Sequence, residues 1–435
     1  MVQTSQPSAR KGIFLNLGLF QFLSFVRRGV FYTFMINYIF SLMKTVTFTA
    51  LLGTLNMAAS ALGQNLLWGK ICDRYKLSAK LVIAGEAIAA ATYFIVFLIH
   101  KSLIDAQANF NAGLSLIIGL SFLEFFWSMS DVGWAALLTN VTTTETRGKI
   151  VGTLNFVASL GRMIGIGFAG YLYNNGAGFR EGTIFYIVIA MLLTSTTIML
   201  ATSRTVGKTR LKADYTPSRS YVAEEPRPNE SNTRTYNWFL ASLMVIIIGA
   251  ACISQVFLLF LKLPPEIGGL NATDPEVSLI LTAFTIGGMA TSLSCGWLAD
   301  KIGRTKVLAI GFGLAIMTPL AYGLALSVPT MAIVYGLNGV SFWTIQTVGF
   351  AFAADLIPEN KRGRLFGRYN TVMALSWGPA GLLVGGPLAD LQVQSGLSTY
   401  AAYINTFYAS AAIVAIGTAL FALRVANPKN KTTKS

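Results

Sequence analysis

Twelve long apolar stretches are the feature that most restricts the fold of this chain. Each holds roughly 20 mostly apolar residues, which as an α-helix is long enough to cross a hydrocarbon core of about 30 Å. The stretches are continuously apolar, which favours helices over the alternating strands of a membrane barrel. Only 12% of the 435 residues are charged, which is about half the usual fraction in a soluble protein. We predict twelve transmembrane helices, spans 1 to 12, over residues 12–39, 45–69, 79–99, 113–138, 150–173, 183–202, 237–262, 277–299, 307–326, 330–356, 366–389 and 401–424.

The net charge of +15 is concentrated in the polar segments between the spans. If both termini are cytoplasmic, most of the 33 Lys and Arg residues fall in cytoplasmic loops and tails, as the positive-inside rule requires. The basicity is therefore a topology signal and does not indicate a nucleic-acid partner. We expect a multi-pass protein of the plasma (inner) membrane, surrounded by the lipid bilayer, with both termini in the cytoplasm.

The sequence carries no pattern typical of a cofactor or metal site. Its three cysteines, Cys72, Cys252 and Cys295, are odd in number and lie in or beside apolar spans. They therefore predict neither a disulfide framework nor a metal centre. A nucleotide-binding loop and a nucleophile–base spacing are also missing from the sequence. We expect no metal, no cofactor and no enzymatic activity, and we expect a monomer.

A long polar segment separates the first six spans from the last six. Residues 203–236 contain Pro217, Pro226 and Pro228 together with several Ser, Thr, Lys and Arg residues. Such a composition buries little apolar surface and predicts a cytoplasmic linker. We therefore divide the chain into a six-helix bundle over 1–202, a linker over 203–236 and a second six-helix bundle over 237–435.

The two halves carry the same pair of loop motifs in the same order. A Gly-x-x-x-Asp followed by a basic residue comes after span 2 and again after span 8, and Arg-Gly-x-x-x-Gly opens spans 5 and 11. Two ordered motif pairs at nearly the same offset indicate an internal repeat. The motif residues are Gly69, Asp73, Arg74, Arg147, Gly148, Gly296, Asp300, Gly303, Arg304, Arg362 and Gly363.

At these residues, and over essentially its whole length, the sequence resembles the major facilitator superfamily. The resemblance implies two six-helix bundles around a central cavity that opens to one side of the membrane at a time. It also implies a cytoplasmic gate, in which Asp73 and Asp300 accept hydrogen bonds from a helix N-terminus and a nearby arginine. The alternative is that the basic residues of these loops only enforce topology. The loop after span 8 is the closer match, since the first copy has Lys76 and Leu77 where Gly and Arg are expected.

Six charged residues lie at bilayer depth, away from the ends of the predicted spans, and all of them are in the first half. Charges at this depth cost roughly 2.5–3.5 kcal/mol each on insertion scales, so they are functional candidates by default. Three are positive and three negative, which predicts mutual pairing. They are Arg27, Arg28, Glu86, Glu124, Asp131 and Arg162.

Helix geometry separates these charged residues. Glu124 and Asp131 are two turns apart and share one face of span 4, whereas Arg27 and Arg28 point about 100° apart, so that only one arginine can face a cavity squarely. The family resemblance implies that spans 1, 4, 7 and 10 line the cavity and that span 3 is peripheral, so Glu86 is interpreted as structural. A permanent salt-bridge network is the alternative for the whole set. The candidates for proton coupling or substrate contact are Glu124, Asp131, Arg27, Arg28 and Arg162.

Polar and aromatic side chains inside the spans are further candidates for the cavity wall. They suit contacts with a partly apolar substrate, although ordinary helix packing is the simpler interpretation of any single one. These residues are Tyr32, Asn37, Trp127, Gln255, Trp343, Gln346, Asn370 and Trp377.

We interpret the chain as a secondary active transporter that works by alternating access, is proton-coupled, and moves a small organic or amphipathic solute. Because His100 is the only histidine, carboxylates are the expected proton carriers. Export by antiport is preferred over uptake by symport. Two alternatives stay open: an organic-anion uniporter, exchanger or symporter that uses the intramembrane arginines, and a transport-inactive sensor or scaffold.

Overall fold

A computed structural model describes residues 7–75, 77–142, 144–208, 230–357 and 362–426. Within these ranges every regular element is a helix and no strand occurs, so the predicted all-α fold class is confirmed. The chain divides into two compact units, a first unit of Met1–Lys44 with Leu52–Thr216 and a second unit of Thr45–Leu51 with Pro217–Ser435.

The helices follow the predicted spans, with short interruptions inside several of them. Before residue 209, α-helices run over Pro7–Tyr32, Met35–Met43, Val46–Leu62, Gly69–Tyr75, Ser78–Asp105, Asn109–Val141, Thr144–Tyr173, Ala177–Arg180 and Thr183–Lys208. After residue 229, they run over Glu230–Cys252, Ser254–Phe260, Asp274–Ile302, Arg304–Tyr322, Val328–Leu356, Arg362–Ala380, Gly386–Gln394 and Thr399–Phe421. Segments Gly63–Trp68, Gly381–Gly385 and Ala422–Ala426 are π-helical, and Asn174–Gly176 and Pro265–Ile267 are 3₁₀-helical.

Eleven helical stretches in the described ranges are long and apolar enough to cross a membrane. A twelfth consists of Asp274–Thr291 and Ser294–Ile302, which are bent by 48° relative to each other. Counted as one span, this pair gives the predicted number of twelve. Several helices are longer than predicted, because a helix continues through polar turns beyond its apolar part. The helices that end at Lys208 and begin at Glu230 thus occupy both ends of the predicted linker, while residues 209–229 lie outside the described residues.

The first helix of each half is broken at a corresponding point. Span 1 is interrupted at residues 33–34, where the Thr33 hydroxyl donates to the carbonyl one turn earlier. Span 7 is interrupted at Ile253, next to Ser254, whose hydroxyl donates to the carbonyl three residues earlier. Ser and Thr hydroxyls that bond to the preceding turn favour helix bends. The repeat seen in the loop motifs therefore extends to the shape of the helices.

Glycine allows spans 1 and 5 of the first unit to pack closely. A Cβ atom on Gly165 would lie 2.2 Å from the carbonyl oxygen of Val26, and one on Gly161 would lie 2.5 Å from the carbonyl oxygen of Phe22. From the other side, a Cβ atom on Gly29 would lie 2.7 Å from a backbone oxygen of span 5. Any larger residue would push the backbones apart, which is the usual reason for small residues between membrane helices.

Glycine also sets the contact between spans 3 and 4. A Cβ atom on Gly85 would lie 2.9 Å from Ser130, and one on Gly133 would lie 2.5 Å from the carbonyl oxygen of Ser78. The residue after Gly85 is Glu86, one of the intramembrane charges. Close packing at this level therefore brings the carboxylate of Glu86 up to span 4.

Asp390, near the end of span 11, holds the first turn of the helix Val46–Leu62 within the second unit. Its carboxylate accepts hydrogen bonds from the backbone N–H of Val46 at 3.0 Å and of Thr47 at 2.9 Å. The Thr47 hydroxyl donates to the same carboxylate at 2.6 Å. A carboxylate at a helix N-terminus satisfies otherwise unpaired N–H groups and interacts favourably with the helix dipole. Gly386 permits the approach, since a Cβ atom there would lie 2.7 Å from the Cα atom of Thr47.

Each unit also has its own aromatic core. In the first unit, fully buried rings in edge contact include Phe31, Tyr93, Phe179 and Phe185. In the second unit, the buried cluster contains Tyr236, Phe239, Phe312 and Phe421.

Candidate functional site

The loop after span 8 forms the best-defined part of the predicted cytoplasmic gate. Gly303 ends the preceding helix with φ of 96°, a backbone conformation that L-residues other than glycine rarely adopt. Arg304 then begins the next helix, forms an ion pair with Asp355 and donates to the carbonyl of Ala351 at 2.7 Å. The loop is thereby tied to the end of span 10. Asp355 was not among the predicted residues of the gate.

Most of the other motif residues are either exposed or lie where the structure does not describe side chains. Asp73, Arg74, Gly296 and Asp300 are exposed at helix ends, and a Cβ atom on Gly69 would lie 2.9 Å from the carbonyl of Gln64. The hydrogen bonds expected for Asp73 and Asp300 stay predictions. The side chains of Arg147, Gly148, Arg362 and Gly363 lie outside the described part of the structure.

Inside the first unit, four of the intramembrane charges form two ion pairs, one part-exposed and one buried. Arg28 Nη2 lies 3.4 Å from Asp131 Oδ1, and the two side chains are 33% and 42% exposed. Arg27 Nη2 lies 3.7 Å from Glu86 Oε2, and those side chains are 3% and 1% exposed. Of the two adjacent arginines, Arg28 is therefore the accessible one.

Trp127 joins the two ion pairs. The guanidinium carbons of Arg27 and Arg28 each lie 4.2 Å from the centroid of its ring, within the range of a cation–π interaction. The indole Nε1 donates to Glu86 Oε1 at 2.7 Å, and Ser130 donates to the same oxygen at 3.0 Å. Trp127 is buried, so this predicted cavity residue instead lies at the centre of the charge cluster.

Glu124 is half-buried one turn before Trp127. Its carboxylate is hydrogen-bonded to the side chain of Ser60 and interacts electrostatically with Arg28 and Asp131. Among the described residues, no basic side chain comes within 4.0 Å of it. The accessible part of the cluster, Arg28, Asp131 and Glu124, thus contains one cation and two carboxyl groups, which is an arrangement able to exchange a proton.

Arg162 and two polar residues of span 1 do not belong to these ion pairs. The backbone of Arg162 packs against Gly29, and its side chain is exposed. Asn37 is 8% exposed and therefore buried, whereas Tyr32 is half-buried. The sequence did not reveal these differences in burial, because they depend on helix rotation.

The candidates in the second unit are aromatic and amide residues. Trp343 packs over Gly288, where a Cβ atom would lie 2.2 Å from the ring, and Trp377 lies 5.2 Å from Phe342 between ring centroids. Each tryptophan is 36% exposed. Gln346 is half-buried and Asn370 is exposed, while Gln255 Oε1 lies 2.9 Å from the hydroxyl oxygen of Ser254.

Comparison with known proteins identifies the family to which this arrangement belongs. Both halves of the chain match the family model described as Major Facilitator Superfamily, over residues 17–267 and 243–435. The chain belongs to the major facilitator superfamily. The resemblance inferred from the loop motifs is thereby confirmed. Since this is a family of transporters, so is the prediction that the chain is not an enzyme.

Individual relatives within the superfamily match shorter segments. An MFS-type transporter of Mycobacterium tuberculosis is 30% identical over 128 residues, which is 29% of this chain and 18% of that protein. The quinolone resistance protein NorA of Staphylococcus aureus is 22% identical over 188 residues, 41% of this chain and 45% of that protein. The multidrug resistance protein MdtL of Vibrio parahaemolyticus is 21% identical over 138 residues, 32% of this chain and 34% of that protein. Each match thus spans less than half of the relative.

Solved structures of the superfamily match over nearly the whole chain. A bacterial homologue of the iron transporter ferroportin in an inward-facing state has a TM-score of 0.68 at 15% identity, covering 98% of this chain and 100% of that one. The nucleoside transporter NupG has a TM-score of 0.64 at 16% identity, covering 94% and 99% of the two chains. At this level of identity, the likeness concerns the fold.

Proposed function

We propose that this facilitator protein is a secondary active transporter that exchanges protons for a small amphipathic solute by alternating access. The observation that carries the proposal is the accessible cluster of Arg28, Asp131 and Glu124, which lies within the spans of the first unit. Charged groups at this depth are costly to insert, which makes them functional candidates by default. The proposed setting is the plasma (inner) membrane, with both termini cytoplasmic and the protein acting as a monomer.

Proton coupling follows from the composition of this cluster. Arg28 neutralises one of the two carboxyl groups at a time, and the carboxyl group that is not paired with it carries a proton or a positively charged solute group. Protonation of Asp131 frees Arg28 from its partner and changes the electrostatic balance between spans 1 and 4. His100 is a poor alternative proton carrier, because it is fully buried and hydrogen-bonded to Tyr38 at 2.8 Å.

The solute class is inferred from the same residues and from the relatives. A part-exposed cluster of one guanidinium and two carboxyl groups within apolar spans suits a solute with both a charged and an apolar part. Two relatives carry names that refer to multidrug and quinolone resistance, which supports export. The proposed direction is therefore antiport, in which protons enter as the solute leaves.

Reconstituted transport tests this function. A thermal-shift screen of a solute library on the purified full chain comes first, with ethidium, norfloxacin and carboxyfluorescein as cationic, zwitterionic and anionic probes. In proteoliposomes with a pH gradient, Glu124→Gln and Asp131→Asn are expected to abolish gradient-driven ethidium flux while probe binding persists. Asp105→Asn, an exposed carboxylate paired with Lys101, is the matched control. Unchanged gradient-driven flux in both variants contradicts proton coupling through this cluster.

An organic-anion carrier is the second candidate, because the guanidinium side of the cluster is also accessible. Arg28 is 33% exposed and can bind a carboxylate or sulfonate group of a solute. This candidate predicts that carboxyfluorescein is carried and that Arg28→Ala weakens its binding. Carboxyfluorescein flux that equals the flux of protein-free liposomes eliminates it.

A further inference from the structure

Glu86 makes more contacts with the charge cluster than its peripheral span suggests. One carboxylate oxygen accepts from the Trp127 indole at 2.7 Å and from Ser130 at 3.0 Å. The other oxygen faces Arg27 at 3.7 Å. The side chain is 1% exposed, so neither solvent nor a solute reaches it directly.

We propose that Glu86 is a positioning residue of the transport site. By holding the indole N–H, it fixes the orientation of the Trp127 ring, and the ring in turn holds Arg28 towards Asp131. The proposal rests on the function proposed above for Arg28 and Asp131.

The geometry of an indole explains how the carboxylate acts at a distance. Trp127 has a single polar atom, the Nε1 donor at the ring edge, so one hydrogen bond to Glu86 fixes the rotation of the ring plane. The faces of the ring are then left for cations, which bind the negative face of an aromatic system. The guanidinium of Arg28 lies 4.2 Å from the ring centroid, where a turn of the ring would remove its support.

Glu86 is itself held in place by its neighbours. Gly85 allows span 3 to pack against Ser130 of span 4, and the hydroxyl of Ser130 donates to the same oxygen that the indole uses. Arg27, whose side chain is 3% exposed, neutralises the carboxylate. This buried pair is therefore less suited to proton exchange than the accessible Arg28–Asp131 pair. The buried pair therefore supports the site, and the accessible pair performs the exchange.

Two double variants separate the positioning role from the buried charge. Arg27→Gln/Glu86→Gln removes both charges and keeps an amide oxygen as acceptor for the indole. Arg27→Gln/Glu86→Leu removes the same charges and also the acceptor. A buried ion pair can be replaced as a whole without loss of the fold, whereas removal of one partner leaves an uncompensated charge. The single variant Trp127→Phe keeps an aromatic face, lacks the N–H donor, and retains the Arg27–Glu86 pair.

The first measurement needs no transport, and so it tests the positioning role separately from the proposed function. In ¹⁵N-tryptophan-labelled full-length protein, the Trp127 indole signal is assigned by its loss in Trp127→Phe. We expect this indole N–H to be protected from hydrogen exchange in the glutamine double variant and unprotected in the leucine double variant. Equal protection in the two variants overturns the proposal.

The second measurement follows ethidium flux in proteoliposomes. We expect the leucine double variant and Trp127→Phe to raise the KM for ethidium about fivefold to tenfold, with a smaller effect on kcat. The glutamine double variant should stay near the wild-type KM. An unchanged KM in Trp127→Phe overturns the proposal even if the leucine variant fails to fold, and so does an equal rise in both double variants. If the wild type carries no ethidium, the proposed function fails while the indole experiment still decides the positioning role.

Discussion

Replacement of Asp390 by alanine should loosen the start of the helix Val46–Leu62. The carboxylate accepts three hydrogen bonds from the first two residues of that helix. Loss of a side-chain cap costs about 1 kcal/mol, and loss of a negative charge at a partly buried helix N-terminus costs about 1 kcal/mol more. Val46 is 2% exposed, so water does not readily replace the lost acceptor. We expect the local opening free energy of the first turn to fall by about 2 kcal/mol.

Hydrogen exchange in nanodiscs measures this change directly. A loss of about 2 kcal/mol corresponds to roughly thirtyfold faster exchange of the Val46 and Thr47 amides when exchange follows local opening. Asp390→Asn keeps one acceptor oxygen without the charge, so it should fall between the wild type and Asp390→Ala. Thr47→Val removes only the hydroxyl contact and should have the smallest effect.

Exchange at Val46 and Thr47 within twofold of the wild type in Asp390→Ala would refute the reasoning. It would mean that water or another group satisfies these N–H donors as well as the carboxylate does. A uniform increase over all amides of the second unit would refute it as well, because the effect would then be global unfolding and not the loss of a cap. Amides near Thr399, the start of the neighbouring span, serve as the internal reference.

Three further predictions test the packing and the ion pairs. Gly165→Ala should lower the stability by about 1–3 kcal/mol in a thermal unfolding assay, because the added Cβ atom would lie 2.2 Å from a backbone oxygen of span 1. Gly167→Ala is the control: a Cβ atom there would have no atom within 4 Å, so this variant should be neutral or stabilising. Arg27→Ala should lower the free energy of unfolding by about 3–5 kcal/mol because it leaves a buried carboxylate without its partner. Arg28→Ala should lower it by less than about 1 kcal/mol because its ion pair is part-exposed, so equal losses for the two variants, measured by unfolding in detergent, would contradict this difference in burial. Arg304→Ala should lower stability by about 1 kcal/mol and slow solute exchange, and Arg304→Lys should restore part of both.

The spans and their repetition could be predicted because they depend on local composition. An apolar stretch of sufficient length forms a membrane helix almost regardless of its neighbours, so the twelve spans followed from the sequence. The zero sum of the intramembrane charges predicted pairing, and two ion pairs account for Arg27, Arg28, Glu86 and Asp131. The breaks in spans 1 and 7 were not predicted, since neither contains proline at the break and the hydroxyls responsible are common in any helix.

Helix rotation is the part of the site that the sequence could not supply. In a soluble helix, the polar face marks the side exposed to water. A membrane helix is apolar towards lipid and towards its neighbours alike, so the side of span 3 that carries Glu86 could not be assigned. For the same reason, the contacts of Trp127 and Arg162 could not be assigned from the sequence. The contact of Asp390 with the helix at Val46 joins positions far apart in the chain, which no local pattern reveals.

The two units act as a natural comparison for the role of the intramembrane charges. Both contain a broken first helix, glycine-mediated helix contacts and a buried aromatic core, so the repeated fold forms with or without those charges. In its described spans, the second unit has glutamine and tryptophan where a cavity is expected and no charge at mid-depth. Because each buried charge costs roughly 2.5–3.5 kcal/mol on insertion scales, a shared fold cannot account for their presence in the first unit alone. Their presence is better explained by the proposed function, in which the part-exposed Arg28–Asp131 pair exchanges a proton and the buried Arg27–Glu86 pair supports the site.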